Sequence, residues 1–185
     1  MWKAISFYTP KYKYIVEGLT SSLKRFDIPY DIEAVEDKGG WMANTYYKPY
    51  YIRRKLDEHK EDLVWIDADA VVKKYPKYFD IIEEDIGVYI RRRSRFYGEL
   101  VANLIFLKNN KAVKKLIDDW IMLEGEDTDK RALEQTYLER ALLENDTAKH
   151  AVRTFYFPNS YSVIKDITDW EEPVIWNSQA SREFR

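Results

Sequence analysis

The hydrophobic period switches repeatedly along residues 2–66, and few folds accommodate that pattern. Trp2 to Tyr8 is an apolar, β-rich run closed by Thr9-Pro10, and it reads as a buried strand. From Lys11 to Phe26 the apolar residues Tyr12, Ile15, Val16, Leu19, Leu23 and Phe26 recur at helical spacing. Pro29 to Val35 alternates apolar and polar residues, as a second strand does, and Lys38-Gly39-Gly40 then breaks the chain. Asn44 to His59 predicts a second helix with Lys48-Pro49 in its first turn, where proline is tolerated. Asp62 to Ile66 is the third strand. Strand, helix, strand, helix, strand is the pattern of right-handed βαβ units around a parallel sheet, which places the chain in the α/β class.

That third strand ends in Asp67-Ala68-Asp69, after which apolar residues resume. Alternation along a strand would point both carboxylates the same way. Two anions held so close repel unless a cation sits beside them, and hard oxygen ligands of this kind suit Mg²⁺ or Mn²⁺, usually together with substrate phosphates. In open α/β sheets ligands bind beyond the carboxyl ends of the strands, where Tyr8 and Thr9 also fall. The plainer alternative is that one aspartate caps a turn and the other is solvated.

The remainder continues the α/β alternation. Tyr75-Pro76 marks a turn, Lys77 to Ile82 a short helix, and Ile86 to Ile90 a strand running into Arg91, Arg92, Arg93 and Arg95. Leu100 to Leu107 is an apolar strand interrupted by Asn103, and Lys111 to Leu123 carries a helical apolar stripe. A loop over Gly125 to Asp129 precedes another helix, and short strands are expected around Val152 to Phe157 and Pro173 to Trp176. With 185 residues and no internal repeat or linker, a single domain is expected. The net charge of −2 gives no electrostatic footprint for nucleic acid. The absence of cysteine excludes disulfides, zinc–thiolate sites and a cysteine nucleophile. No apolar run is long enough for a membrane span and no signal-peptide pattern is present, so a cytoplasmic location is expected.

Val64-Trp65-Ile66-Asp67-Ala68-Asp69-Ala70 resembles the Asp-x-Asp motif of GT-A-fold glycosyltransferases, which use nucleotide-sugar donors. Further stretches follow in the order of that superfamily. Trp41, Asn44 and Lys48-Pro49 resemble a segment that helps hold the nucleotide. Ala102 to Asn109 with the Trp120 helix resembles the donor- and acceptor-side strand and its helix. Asp129-Lys130-Arg131-Ala132-Leu133 resembles a helix start that supplies the carboxylate near the reacting sugar. Val174 to Arg182 resembles a C-terminal segment of the type His-x-Gln-x-Ser-Arg, with Asn177 standing where the histidine would be. Compactness and lack of cysteine also resemble small glycosyltransferase-like proteins of archaeal viruses, which would place the chain in a host cytoplasm.

The resemblance implies a single-domain GT-A-like fold with Rossmann-like βαβ units around a mostly parallel central sheet and helices on both faces. Residues 1–72 would form the nucleotide-binding half and 73–185 the acceptor-side half. It implies a hexosyltransferase using a UDP- or GDP-sugar with Mn²⁺ or Mg²⁺, and a carbohydrate or glycoprotein acceptor. Asp67, Asp69 and Asn177 would hold the metal, and Tyr8, Thr9, Trp41, Asn44, Lys48, Asp67, Ala68 and Arg182 the donor. Arg182 or one of Arg91 to Arg95 would add a phosphate clamp. Asp129 first, and Glu134 second, would take the proton from an acceptor hydroxyl in an inverting transfer. Helix capping competes for Asp129, with Thr128 as the other cap, and a solvated helix face competes for Glu134. His59 and His150 read as surface residues, and Trp41, Tyr46 and Tyr47 read either as stacking platforms or as core.

Three other readings remain open. Asp67 to Val71 also satisfies the Asp-x-Asp-x-Val start of a haloacid-dehalogenase-type phosphatase, although that motif normally follows the first strand. A nucleotidyltransferase would show a glycine-rich basic loop after its first strand, which Tyr8-Thr9-Pro10-Lys11 does not resemble. A catalytically weak or inactive nucleotide-sugar-binding protein would keep Asp67 and Asp69 and tolerate Asn177.

Overall fold

The computed structural model describes residues 1–94, 97–127, 132–146, 151–168 and 172–180. A six-stranded sheet runs through the molecule in the order β2-β1-β3-β6-β5-β7. Its strands are β1 (Trp2–Tyr8), β2 (Tyr30–Ala34), β3 (Asp62–Ile66), β5 (Ile86–Arg92), β6 (Gly98–Leu107) and β7 (Thr154–Tyr156). The pairings β1–β2, β1–β3 and β5–β7 are parallel, and only β6 opposes its neighbours. The sheet is therefore mostly parallel, as the βαβαβ pattern requires.

Helices cover both faces. On one, α3 (Lys48–Glu58), α4 (Lys111–Glu126) and α5 (Glu134–Asp146) bury Tyr51, Ile52, Leu56, Leu116, Trp120 and Leu138 against β3, β5 and β6. On the other, α1 (Val16–Arg25) packs Leu19 and Leu23 over Ala4 and Val64. That second face is completed by a small sheet of β4 (Ala70–Val72), β9 (Ile175–Asn177) and β8 (Val163–Ile164), and by a cluster of Phe79, Phe157 and Tyr161. Gly87 is required where this cluster meets β5, because a Cβ there would lie 2.7 Å from the Phe157 ring.

Three sequence expectations change, the first being that α4 carries Gly125 and Glu126, which the sequence places in a loop. The helix expected from Lys11 begins at Val16, after a 3-10 turn over Pro10–Tyr12. Tyr12 contributed to the helical period, but it lines a cavity at the end of β1 and does not join the core. The helix expected over Asn44 to His59 is two helices, α2 (Trp41–Tyr46) and α3, meeting at Tyr47. Pro49 explains the break: it has no N–H for the fourth carbonyl back, so it ends one helix and is accepted only in the first turn of the next. β4 and β8 were not anticipated, being too short to show a period.

Candidate active site at the carboxyl end of β3

Asp67 leaves β3 with its N–H donated to the Asn103 carbonyl at 3.0 Å, and its own carbonyl accepts from Ala70 N–H at 3.0 Å. The motif is thus a tight turn carrying the chain from the main sheet into β4. Strand alternation therefore does not set the direction of the two carboxylates, yet both line one cavity of about 400 Å³. That cavity is of a size typical for small-ligand sites.

Lys48 is the centre of the charged part. As the first residue of α3 it carries a positive charge at a helix N-terminus, an unfavourable place for one. It is nevertheless 4% exposed, and its Nζ donates to the Ala102 carbonyl (2.9 Å) and Glu134 Oε1 (2.9 Å) and pairs with Asp67 Oδ1 (3.2 Å). Burial alone would lower its pKa, but the charges of Asp67 and Glu134 outweigh burial and hold it above the ordinary lysine range. Ala102 can offer its carbonyl because β6 bulges there. The register against β5 jumps between Val88↔Ile105 and Tyr89↔Val101, so Ala102, Asn103 and Leu104 have no partner on β5.

Trp65 Nε1–H also donates to Asp67 Oδ1, at 2.8 Å, which leaves Oδ2 without a donor among the described residues. Asp69 is held from the C-terminal segment: Ala180 N–H donates to its Oδ2 (3.0 Å) and Ser178 N–H to its carbonyl (3.1 Å). Burial, and then the neighbouring charge of Asp67, push the Asp69 carboxyl up to about 6; the Ala180 N–H, its own N–H and Lys48 oppose this. β9 places Asn177 opposite Ala70. The Asn177 Nδ2 donates to the Val163 carbonyl at 3.3 Å, while its Oδ1 is buried without a donor among the described residues. Gln179, held at φ +58 on the cavity wall, likewise has a buried Oε1 without a donor among the described residues.

This donor set fits a hard divalent cation. The open oxygen of Asp67, the raised carboxyl of Asp69 and the unsatisfied amide oxygen of Asn177 are the ligand types Mg²⁺ and Mn²⁺ take. Among the described residues beside the turn, the buried Lys48 is the cation set against the carboxylates Asp67, Asp69 and Glu134, and a doubly charged ion would complete that balance. Elsewhere Asp31, Glu58 and His59 also converge. There the Lys55 ammonium already holds Asp31 (2.6 Å), Glu58 (2.8 Å) and Glu33, so the cation of that cluster is a lysine. His59, expected at the surface, is half-buried in the same network, 2.8 Å from Asp31 and 3.2 Å from Lys3 Nζ.

The other expected residues that the structure describes also reach the cavity: Tyr8, Thr9, Trp41, Asn44, Ala68 and Glu134. Asn44 does so with its amide engaged. Its Oδ1 accepts from Lys38 N–H (2.8 Å) and its Nδ2 donates to Asp37 (3.1 Å), which also caps the N–H groups of Gly39 and Gly40. Both glycines have φ +112, which only glycine adopts easily. Tyr46 is core, with its hydroxyl on the Ala132 carbonyl at 2.6 Å, and Tyr47 packs on Phe7; Trp41 alone of the three aromatics lines the cavity. Asp129, Arg182 and His150 lie outside the described residues. Sequence reasoning missed Asp37, Glu99, Asn103 and Gln135 as cavity residues. Asn103 had left a signal, since it is the one polar residue in the apolar run Leu100 to Leu107. Its Oδ1 accepts from Ser162 Oγ at 2.9 Å, and its Nδ2 is buried without an acceptor among the described residues.

No protein-family model matches the sequence, and no curated protein matches it either. Solved structures do match the fold. A glycosyltransferase involved in glycosylation of the major capsid of PBCV-1 aligns with a TM-score of 0.73 and 12% identity, over 98% of this chain and 95% of its own. The apo glycosyltransferase GlyE of Streptococcus pneumoniae TIGR4 aligns with a TM-score of 0.64 and 14% identity, over 96% of this chain and 54% of its own. The galactosyltransferase LgtC, solved with donor and acceptor sugar analogs, aligns with a TM-score of 0.62 and 9% identity, over 96% and 87%. The chain has the GT-A-type glycosyltransferase fold expected from its motifs, and among the described residues no helix is long and apolar enough to cross a membrane.

Proposed function

We propose that this chain is a metal-dependent glycosyltransferase that moves a sugar from a nucleotide-diphosphate sugar to an acceptor hydroxyl. One observation carries the proposal. Asp67, Asp69 and Asn177, whose side-chain oxygen is unsatisfied among the described residues, line a single cavity, and Lys48 ties Asp67 to a third carboxylate, Glu134. The fold shared with glycosyltransferases supports it and lowers the weight of the phosphatase reading.

In the transfer, the bond between the sugar's anomeric carbon and the diphosphate oxygen breaks, its electron pair stays on the diphosphate, and the acceptor oxygen bonds to that carbon. A bound Mg²⁺ or Mn²⁺ supplies charge stabilisation for the leaving diphosphate. Asp67, Asp69 and Asn177 would hold the ion, and Ala180 N–H and Ser178 N–H fix Asp69 for that task. Thr9 and Trp41 would bound the nucleoside end, with Asp37 and Asn44 fixing the glycine loop beside it. Glu134 has one oxygen on Lys48 and lines the cavity. It would take a hydrogen bond, and in an inverting transfer the proton, from a sugar or acceptor hydroxyl. Asp129 is the other candidate for that proton.

The test is a thermal-shift and turnover screen of UDP, GDP and their sugars with and without Mn²⁺. Stabilisation by a nucleotide only with metal, together with release of free nucleoside diphosphate from a sugar donor, supports the proposal. Metal-dependent binding without turnover on any acceptor would support a non-catalytic nucleotide-sugar-binding protein. No nucleotide effect with metal present would sink both.

A further inference from the structure

A second charged group on the cavity wall has no part in the chemistry above. Arg91 lies in β5, Arg93 just after it, and Glu99 stands opposite Arg91 in register on β6. Arg91 Nη2 (2.8 Å) and Arg93 Nε (2.5 Å) both donate to Oε2 of Glu99, while Gln135 Nε2 donates to Oε1 at 3.0 Å. Both oxygens of Glu99 are therefore taken, and one carboxylate serves two guanidinium groups. Glu139 is a further carboxylate near Glu99, but it is not on the cavity wall. A cross-strand ion pair is complete with Arg91 alone. Adding Arg93 brings two like charges onto one oxygen, which is unfavourable without a further anion. Arg93 has engaged only its Nε; its Nη1 and Nη2 have no acceptor among the described residues, and its side chain is 51% exposed on the cavity wall. Arg91 is nearly buried, and its Nε has no acceptor either.

Position narrows which anion would sit there. Contacts run from Asp67 through Lys48 to Glu134, and from Gln135, next in sequence, to Glu99 and the arginines. Glu99 also lies four residues before Asn103 on β6, and Asn103 is the residue that meets Asp67, so the arginines line a part of the cavity set apart from the Asp67–Asp69 turn, the part we assign to the saccharide rather than the diphosphate. Resting on the transferase reading, we propose that Arg91 and Arg93 recognise a carboxylate on a saccharide, so that the site handles an acidic, uronic-acid-class sugar presented by the acceptor or by the donor. The open Nη1/Nη2 edge of Arg93 matches two carboxylate oxygens, and Glu99 with Gln135 holds it in place.

The experiment titrates the wild type, Arg93→Gln and Arg91→Gln with methyl glucuronide against methyl glucoside, and with UDP-glucuronic acid against UDP-glucose. Each titration is run with and without Mn²⁺, and the methyl glycosides also with and without UDP. Wild type is expected to bind the carboxylate member of one pair about tenfold more tightly, as one charged two-point contact allows, and Arg93→Gln to lose that preference while UDP binding is unchanged. The pair that shows the preference names the source, acceptor or donor. No preference in either pair, with UDP and Mn²⁺ still bound, overturns the acidic-sugar proposal and leaves the transferase reading standing. A glucuronide preference without any UDP binding keeps the subsite and removes the transferase reading. A preference that survives in both variants overturns the assignment to these arginines.

Discussion

Asp69→Asn should make the metal-free protein more stable. In the native fold this carboxyl keeps its proton up to about 6, against an ordinary value of 3.8. Because the folded pKa is raised, ionisation opposes folding: the penalty is absent below 3.8, grows through the interval, and is complete above about 6. Such a shift is worth at most about 3 kcal/mol at pH 7.5. Asparagine removes the charge and can still accept from Ala180 N–H through its amide oxygen. In chelator-treated protein at pH 7.5, Asp69→Asn is therefore expected to gain about 1–3 kcal/mol, read as a higher denaturant midpoint at unchanged slope. At pH 4.5 the wild-type carboxyl is mostly protonated and the gain should shrink below about 1 kcal/mol. Adding Mn²⁺ at pH 7.5 should reverse the order, raising the wild type and leaving the variant unmoved. An unchanged or lower metal-free stability for the variant at pH 7.5 would refute the claim that Asp69 is an uncompensated charge waiting for a cation.

Three further outcomes follow from the same geometry. Asp67→Asn should abolish the Mn²⁺-dependent thermal shift, and an intact shift in this variant would place the ion elsewhere. Asn177→Ala removes a buried oxygen that has no donor among the described residues, so it should weaken Mn²⁺ by about tenfold or more in calorimetry, the scale expected of perturbing a metal site, while costing only about 0.5–1.5 kcal/mol of metal-free stability for the lost Nδ2 hydrogen bond, because the Val163 carbonyl keeps its place in the β8–β9 pairing. Gly87→Ala should cost about 1–3 kcal/mol in chemical denaturation, because its methyl would meet Phe157 well inside contact distance; a neutral result would mean that the aromatic cluster can shift.

Where the sequence was legible, a long-range period or a lone polar residue in an apolar run made it so. The three strands and the sheet they form show in Trp2–Tyr8, Tyr30–Ala34 and Asp62–Ile66, since each alternates or is buried on both faces. The Asp67–Asp69 pair shows because charge interrupts that burial. The break at Tyr47 was written in Pro49, but a helical stripe on both sides hid it. The bulge at Ala102–Leu104 and the pairing of β4 with β9 left no local mark, because each depends on a partner strand far away in sequence. The motif order makes Lys48 a nucleotide contact. That it already has three acceptors required knowing where β6 bulges and where α5 begins.

The Lys48–Glu134 pair is where stability and chemistry can be separated. Lys48→Met removes a buried charge and leaves Glu134 and Asp67 without it, a loss of about 3–5 kcal/mol in denaturation. Glu134→Gln removes one of the two carboxylates that hold Lys48 and should cost less, because Asp67 and the Ala102 carbonyl remain. If Glu134 only served as the counter-charge of Lys48, the double variant Lys48→Met/Glu134→Gln would recover much of the stability and would transfer sugar as well as the better single variant does. If Glu134 also contacts the sugar or acceptor, the double variant recovers stability yet stays inactive, and Glu134→Gln alone lowers kcat while leaving Mn²⁺ and UDP affinity intact. The position of Glu134, one oxygen on Lys48 and the side chain on the cavity wall beside Gln135, favours the second outcome. Full activity in Glu134→Gln would return this carboxylate to a structural role and leave Asp129 to take the acceptor's proton.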